Sequence, residues 1–283
     1  MYPKPLKYVK ARNVKDAIEA VSSDENARFI AGGQSIMPML KLRLMEPSLL
    51  VDISELSELK NVTMDGDSIV IGSMTRHREI IENQLIRENL PILSTTAEHI
   101  ADVQIRNRGT IGGSICEADP SADYLPTLIA LEAELTLESP HGKRTIQVDD
   151  FVTGPYETSI EPCEILTSIR IHKNTSPFSV EKYATRSADF AVASIAVIAD
   201  MKKPEIKIVV GAQETKPLRL KELENSLKGK EHSRKAISRS VEEISAELEP
   251  INDIHGGDEY RKVVTLNLLL NRLDSLLNGG DLK

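Results

Sequence analysis

The sequence predicts a mixed α+β fold in three successive parts: a small parallel α/β unit over residues 1–54, a mixed and antiparallel sheet with helices over 55–173, and antiparallel strands followed by a helical bundle over 174–283. Three observations predict it. Short apolar runs alternate with amphipathic helical stretches as far as Ile53, the pattern of βα units. Strand signals between Lys60 and Ile171 are then joined partly by turns and partly by helices. After Pro177 two long apolar runs precede a region of helical periodicity that continues to Leu277. A chain of 283 residues has enough apolar material to give each part a core.

In the first part Asn13 is a good N-cap, with Val14, Ala17, Ile18 and Val21 at helical spacing after it. The helix stops near Ser22–Ser23–Asp24. A strand through Phe29–Ile30 follows, then a helix of about two turns carrying Met39, Leu40 and Arg43. Pro47 ends it, and Leu49–Ile53 reads as a buried strand.

In the second part Ser68–Ile71 is a strand entering Gly72, and Thr75 is expected to cap a helix through Ile80 and Ile81. Pro91 suits the first turn of an apolar helix running toward Ile100 and Val103. A helix is expected over Ala122–Leu131. Glu134–Leu137 and Thr145–Val148, on either side of Pro140–Lys143, read as a hairpin. Ile165–Ile171 is a further strand. In the third part Ala191–Ile198 and Ile206–Val210 flank a Lys-Lys-Pro-Glu turn and read as paired strands. One helix is expected through Ile237 and Ile244 and another from Tyr260 to Leu277, with Pro250–Gly257 as their connection.

Composition excludes several functions. There are 43 acidic residues against 35 basic, for a net charge of −8, and no basic run, which argues against a nucleic-acid-binding face. Two cysteines, Cys116 and Cys163, fall short of the roughly four thiolates an iron–sulfur cluster needs. Six histidines show no zinc-ligand spacing, so no metal ligands are assigned. No secretory signal and no membrane-length apolar run are visible, so a cytoplasmic location is expected.

Two glycine pairs stand out. Ala31–Gly32–Gly33–Gln34–Ser35 follows the short apolar run Ala27–Ile30 and precedes Ile36. Thr110–Ile111–Gly112–Gly113–Ser114 runs on toward Asp119–Pro120–Ser121–Ala122–Asp123. A Gly-Gly loop flanked by hydroxyls leaves backbone N–H groups unshielded and able to turn toward an anion. The start of the Ala122 helix would point its positive end at the same place. Neither pair fits G-x-G-x-x-G, and no G-x-x-x-x-G-K-[ST] occurs. The two pairs read as two walls of one long ligand with a diphosphate in its middle.

These segments resemble the FAD-binding medium subunit of molybdenum hydroxylases, a family that includes carbon monoxide, xanthine and aldehyde dehydrogenases. The likeness extends from Pro5 to about Leu270. It is also carried by Lys41–Leu42–Arg43, Ile71–His77, Glu164–Ile169 and Glu181–Asp189. The resemblance implies an FAD-binding fold of two α/β subdomains followed by a C-terminal α+β domain. It implies noncovalent FAD held by Ala31, Gly32, Gly33, Gln34, Ser35 and Ile36 from the first segment, and by Thr110, Ile111, Gly112, Gly113 and Ser114 from the second.

The resemblance also places Asp123 toward the ribityl or phosphate region; from position alone, an Asp before a helix reads as an N-cap. Lys182 matches a family lysine beside the flavin ring, where a positive charge favours negative charge on the reduced ring; unaided, it reads as a solvated strand lysine. Ile165 and Leu166 match an apolar ledge under the ring, and Ile100 lies on the same wall. Two departures from the family bear on the flavin environment: Ser114 stands where many relatives carry Asn, and Phe190 where several place Tyr. Neither glycine segment holds a His or Cys for covalent attachment, and Cys116 lies beyond the expected reach.

The implied function is electron transfer in a heterotrimeric complex, in a dimer of such trimers. A large partner subunit oxidises substrate at molybdopterin, and [2Fe–2S] clusters of a small partner pass electrons to this FAD and on to an external acceptor. No catalytic residue is expected in this chain. Two other readings stay open: a stand-alone FAD oxidoreductase of the same superfamily, and an assembly protein without flavin.

Overall fold

The computed structural model describes residues 2–200, 205–228 and 232–279. The first part is β1 (Lys7–Lys10), α1 (Val14–Ser22), β2 (Ala27–Ile30), α2 (Ile36–Leu42) and β3 (Leu49–Asp52). The three strands form a parallel sheet in the order β1-β3-β2, with Leu49 level with both Lys7 and Ala27. The central β3 is the buried one, as two-sided packing requires. Asn13 caps α1 by accepting the Asp16 N–H at 2.8 Å, as its sequence position predicts.

The second part holds β4 (Val62–Asp65), β5 (Ser68–Gly72), α3 (His77–Glu82), α4 (Gln84–Asn89), α5 (Pro91–Glu98), α6 (Val103–Arg106), α7 (Ile111–Glu117) and α8 (Tyr124–Ala130). It continues through β6 (Glu134–Ser139), β7 (Gly142–Gln147), α9 (Val148–Phe151), the small ribbon β8 (Val152–Gly154) with β9 (Glu157–Thr158), and β10 (Ile165–His172). Its main sheet is antiparallel, in the order β4-β5-β10-β6-β7. The β6–β7 hairpin falls where the sequence places it, and the short edge strand β4 is an element that its alternation did not disclose.

Two local expectations change. Thr75 does not cap α3; Arg76 takes that position, and Thr75 lends its carbonyl to the Ile111 N–H at 3.0 Å. The helix from Pro91 stops at Glu98 because Ala101 turns left-handed at φ 39°, and α6 restarts under an Asp102 cap. Arg106 donates to the carbonyls of Ile100 and Ala101, at 2.7 and 2.8 Å, and holds that break in place.

The third part is β11 (Phe178–Tyr183), β12 (Ala193–Asp200), β13 (Glu205–Gly211), β14 (Leu218–Arg219), α10 (Lys221–Leu227), α11 (Arg234–Glu243) and α12 (Asp258–Asn278). Its sheet is antiparallel, in the order β11-β12-β13-β14. The expected turn at Lys202–Glu205 falls largely outside the described residues. The single helix expected through Ile237 and Ile244 is α11 followed by a 3-10 turn at Ile244–Glu247, with α10 separate from it.

The apolar run of β12 is buried on both faces, and its alternation divides two cores. Ala196 and Ile198 join the core of the second part, which includes α8 residues such as Leu125 and Leu128. Ile195, Val197 and Ala199 join a second core with Leu223, Ile237, Val241, Leu269 and Leu273. Period-two alternation thus survives inside a continuous hydrophobic run.

One buried cation fastens this arrangement. Arg261 of α12 is fully buried; its guanidinium donates to the carbonyls of Ala191 (3.0 Å), Val192 (2.8 Å) and Gly256 (3.2 Å) and pairs with Asp253 at 2.6 Å. Replacing it by Met leaves the Ala191 and Val192 carbonyls without this donor, whereas the Asp253 side chain, 34% exposed, turns to water. Urea denaturation followed by circular dichroism should show Arg261→Met destabilised by about 1–3 kcal/mol, the usual cost of leaving buried acceptors unpaired. Arg261→Lys keeps the charge but lacks the planar fork and should lose less.

Candidate functional site

The first glycine segment is an open turn between β2 and α2. Gly33 is left-handed at φ 76°, a conformation that strains residues with a Cβ. Gly32 is needed for a different reason. A Cβ there would fall 2.2 Å from the Arg108 carbonyl oxygen and 2.8 Å from the Gly109 Cα, so this backbone lies directly on the approach to the second segment. Among the described residues, no hydrogen bond uses the N–H groups of Gly32, Gly33, Gln34, Ser35 or Ile36. Five consecutive free donors are thus available to an anion.

The second segment is not the loop that the sequence suggests. Thr110 is the N-cap of α7, and both glycines lie in its first turn. Here the donors are already used. Ile111 N–H bonds the Thr75 carbonyl at 3.0 Å, Gly112 the Ser73 carbonyl at 2.9 Å, Gly113 the Thr110 hydroxyl oxygen at 3.1 Å, and Ser114 the Thr110 carbonyl at 3.0 Å. Gly112 is small because Ser73 lies against it, a Cβ there falling 2.6 Å from the Ser73 Cβ. Buried His77 closes on Gly109 from the other side, and its N–H bonds the Gly109 carbonyl at 3.1 Å. Burial, aided by nearby Arg106, pushes the His77 imidazole down to about 4, so it is neutral at pH 7. The structure therefore brings the two segments together but divides their work: the first offers donors, and the second offers a tight backbone surface and a helix start.

Asp123 and Lys182, 59 residues apart in sequence, meet as a buried ion pair at 3.0 Å. Asp123 does precede α8, yet its side chain caps nothing. Lys182 Nζ also donates to the His99 carbonyl at 3.1 Å. The Asp123 Oδ1 and His99 Nδ1 atoms are buried without a partner. Burial pushes the Asp123 carboxyl up to about 6 against the opposing pull of Lys182. In front of the pair opens a cavity of about 610 Å³, walled by the break between α5 and α6 (His99, Gln104, Arg106) and by Lys182, Arg186 and Ser187.

Of the cofactor-site residues assigned from the sequence, Lys182 alone lines that cavity. Ile165 is buried in the core of the first part, and Leu166 and Ile100 in that of the second. Phe190 is 56% exposed. Sequence reasoning missed His99, Arg106 and Arg186; the first two are placed by a left-handed alanine that no propensity rule signals. Cys116 lies on α7 with its thiol pushed up to about 12 by burial.

A family described as the FAD binding domain in molybdopterin dehydrogenase matches residues 4–173, which makes the chain a flavin-binding protein of α+β build. Residues 179–276 match the CO dehydrogenase flavoprotein C-terminal domain, and the chain belongs to the flavoprotein family that carries both. It is 34% identical to the nicotine 6-hydroxylase medium subunit of Paenarthrobacter nicotinovorans, over 93% of this chain and 94% of that one. It is likewise 34% identical to the glyceraldehyde dehydrogenase medium chain of Sulfolobus acidocaldarius, over 93% and 95%. Among solved structures, the carbon monoxide dehydrogenase of Hydrogenophaga pseudoflava superposes with a TM-score of 0.93 at 32% identity, covering 98% of this chain and 99% of that one.

The residues present fit a flavin dinucleotide: free N–H groups suit a diphosphate, and a buried lysine at a cavity suits an electron-accepting ring. Gly32→Ala should weaken FAD binding at least about tenfold, equivalent to about 1.4 kcal/mol, in a fluorescence titration. Gly66, left-handed at φ 61° but with nothing near its missing Cβ, is the control: Gly66→Ala should cost stability and leave FAD affinity intact. Cys116 should resist alkylation by iodoacetamide at pH 8 until the chain unfolds.

Proposed function

We propose that this chain is the FAD-carrying electron-transfer subunit of a molybdenum-containing hydroxylase or dehydrogenase. The reading is carried by one observation above others: two backbone segments from separate parts of the chain touch at Gly32, and one of them presents five unused N–H groups. Membership of the flavoprotein family supports it, as do relatives named as medium subunits of nicotine, glyceraldehyde and carbon monoxide enzymes. The partners are a small subunit with [2Fe–2S] clusters and a large molybdopterin subunit, where substrate is oxidised.

In this reading Gly32–Ile36 hold the diphosphate through backbone N–H groups, with Thr110–Ser114 as the facing wall. Residues 1–54 and 55–173 are the two halves that enclose the cofactor, and 174–283 supplies the lysine and closes the cavity. Lys182 stands toward the ring and Asp123, paired with it, toward the ribityl or phosphate region, with Ile100, Ile165, Leu166 and Phe190 in the surrounding shell. FAD, when bound, accepts and releases electrons singly or in pairs, which suits it to join one-electron clusters to an external acceptor. The chain's own groups orient it, exclude water on the buried side and set the local charge; none is assigned as acid, base or nucleophile toward substrate.

The test is to express the chain alone and add FAD. Flavin absorption without iron–sulfur bands, and yellow colour released by acid, is the expected result. Absence of binding after titration with FAD sinks the reading in favour of a flavin-less assembly protein. Affinity capture from the native source should bring down a cysteine-rich small subunit and a molybdopterin subunit; capture of the chain alone, fully active on a substrate, would show a stand-alone oxidoreductase.

A further inference from the structure

The Asp123–Lys182 pair sits at the cavity wall in an unfinished state. Lys182 has two acceptors, the Asp123 Oδ2 at 3.0 Å and the His99 carbonyl at 3.1 Å, while the second oxygen of Asp123 is buried with no donor. The Arg144–Glu164 pair is completed by contrast: Arg144 holds both oxygens of Glu164, at 2.6 and 2.7 Å, and also bonds the Ser159 carbonyl. At Asp123 one carboxylate oxygen is left without compensation, in a place where the paired lysine faces the space proposed for the flavin ring.

We propose that Asp123 is a positioning residue that sets the charge Lys182 presents to the cavity: net zero from the pair when Asp123 is ionised, and plus one when it is protonated. The proposal rests on the flavin reading above. It follows from the geometry because Lys182 lines the cavity and Asp123 stands behind it. Whatever occupies the cavity therefore meets the lysine through a neutralising charge that a single proton removes.

Other charged groups face the pair. Asp119, from the segment before α8, adds negative charge at Asp123, and the buried Tyr124 hydroxyl lies next in sequence. Glu98 and Glu181 act with Lys182 on His99, from the end of α5 and from β11. Asp119 raises the Asp123 carboxyl in the same direction as burial does, and Lys182 is the group that opposes both. The switching range thus lies near pH 6, where a solvated carboxyl would already be fully ionised. Arg106 and Arg186 also line the cavity and are matched in number by Glu98 and Asp102, so the pair decides the net sign: below that range the wall carries a net positive charge that favours an anionic occupant, and above it that charge is neutralised.

The experiment measures the two-electron midpoint potential of FAD bound to the full chain, from pH 5 to 8, with FAD affinity and thermal unfolding followed in parallel. In the native chain the potential should fall more steeply with pH around 6 than in Asp123→Asn, where Lys182 is uncompensated throughout. The two proteins should agree at pH 5. At pH 8 Asp123→Asn should favour reduced over oxidised FAD by about tenfold more than the native chain, or about 30 mV for a two-electron couple. Coincident potentials at pH 8, with FAD bound in both, overturn the proposal.

If Asp123→Asn fails to fold or to bind FAD, Lys182→Gln decides, since without the lysine the pair is neutral at pH 5 where the native pair is positive, although Asp123 still titrates. Its potential at pH 5 should then lie below the native value by a similar factor, and native values at both ends of the range would overturn the proposal. Failure of the native chain to bind FAD would instead remove the flavin reading itself, so the two failures are distinguishable.

Discussion

The close approach of two backbones at Gly32 is the constraint on which the rest of the site depends. The Arg108 carbonyl occupies the space a Cβ would need, so residues 31–35 can rest on residues 108–113 only if position 32 carries no side chain. Everything around this contact fixes the second segment before it meets the first. Thr75 and Ser73 take the first N–H groups of α7, Thr110 takes the next two, and His77 presses on Gly109. Because one face is rigid and internally satisfied, the other can leave five donors open without collapsing onto it. A buried neutral histidine suits this role, since a charged ring beside Arg106 would repel it.

The two parts of the chain that meet here are also joined through their cores. Met74 and Ile165, with Leu56 and Leu59, enter from the second part into the core that holds Ile18, Val51 and Ile53 of the first. Gly72 passes so near the Leu59 carbonyl that a Cβ would fall 2.3 Å from it. The third part is held by β12, which contributes one face to each of two cores, and by Arg261, which fixes Ala191 and Val192. That anchor matters for the site because the segment from Ala184 to Phe190 leaves β11 on the cavity side and returns at Ala191. A helix more than sixty residues further along thus positions a cavity wall.

Much of this was legible in the sequence, and the parts that were not share a physical reason. Strands with clear apolar runs, the Asn13 cap, the β6–β7 hairpin and the open turn at Gly32–Gly33 all depend on neighbours in sequence, and the structure has them as expected. The second glycine pair was misread as a loop because glycine lowers helix propensity; the Thr110 cap and the need to pass Ser73 outweigh that cost here. The break after α5 was missed because Ala101 is left-handed, which alanine adopts only when its surroundings, here the Arg106 clasp, compel it. The family resemblance drew attention to Asp123 and Lys182 separately. Their pairing joins residues far apart in sequence, and no spacing rule reaches it.

The electrostatics of that pair differ from those at the surface. Lys15 and Glu19, both more than half exposed and 3.9 Å apart, make a contact that water and salt nearly cancel. Lys182 and Asp123 are each about one-tenth exposed. There, removal from water costs each charge several kcal/mol, and attraction between them returns that cost only when every lone pair and proton is engaged. The free Asp123 oxygen shows that the return is incomplete, and the raised carboxyl is the consequence. A pair held for stability would be improved by one more donor. In the proposed reading, leaving it one short keeps the carboxyl near the point where a proton is easily gained, and places the change in charge beside the occupant of the cavity.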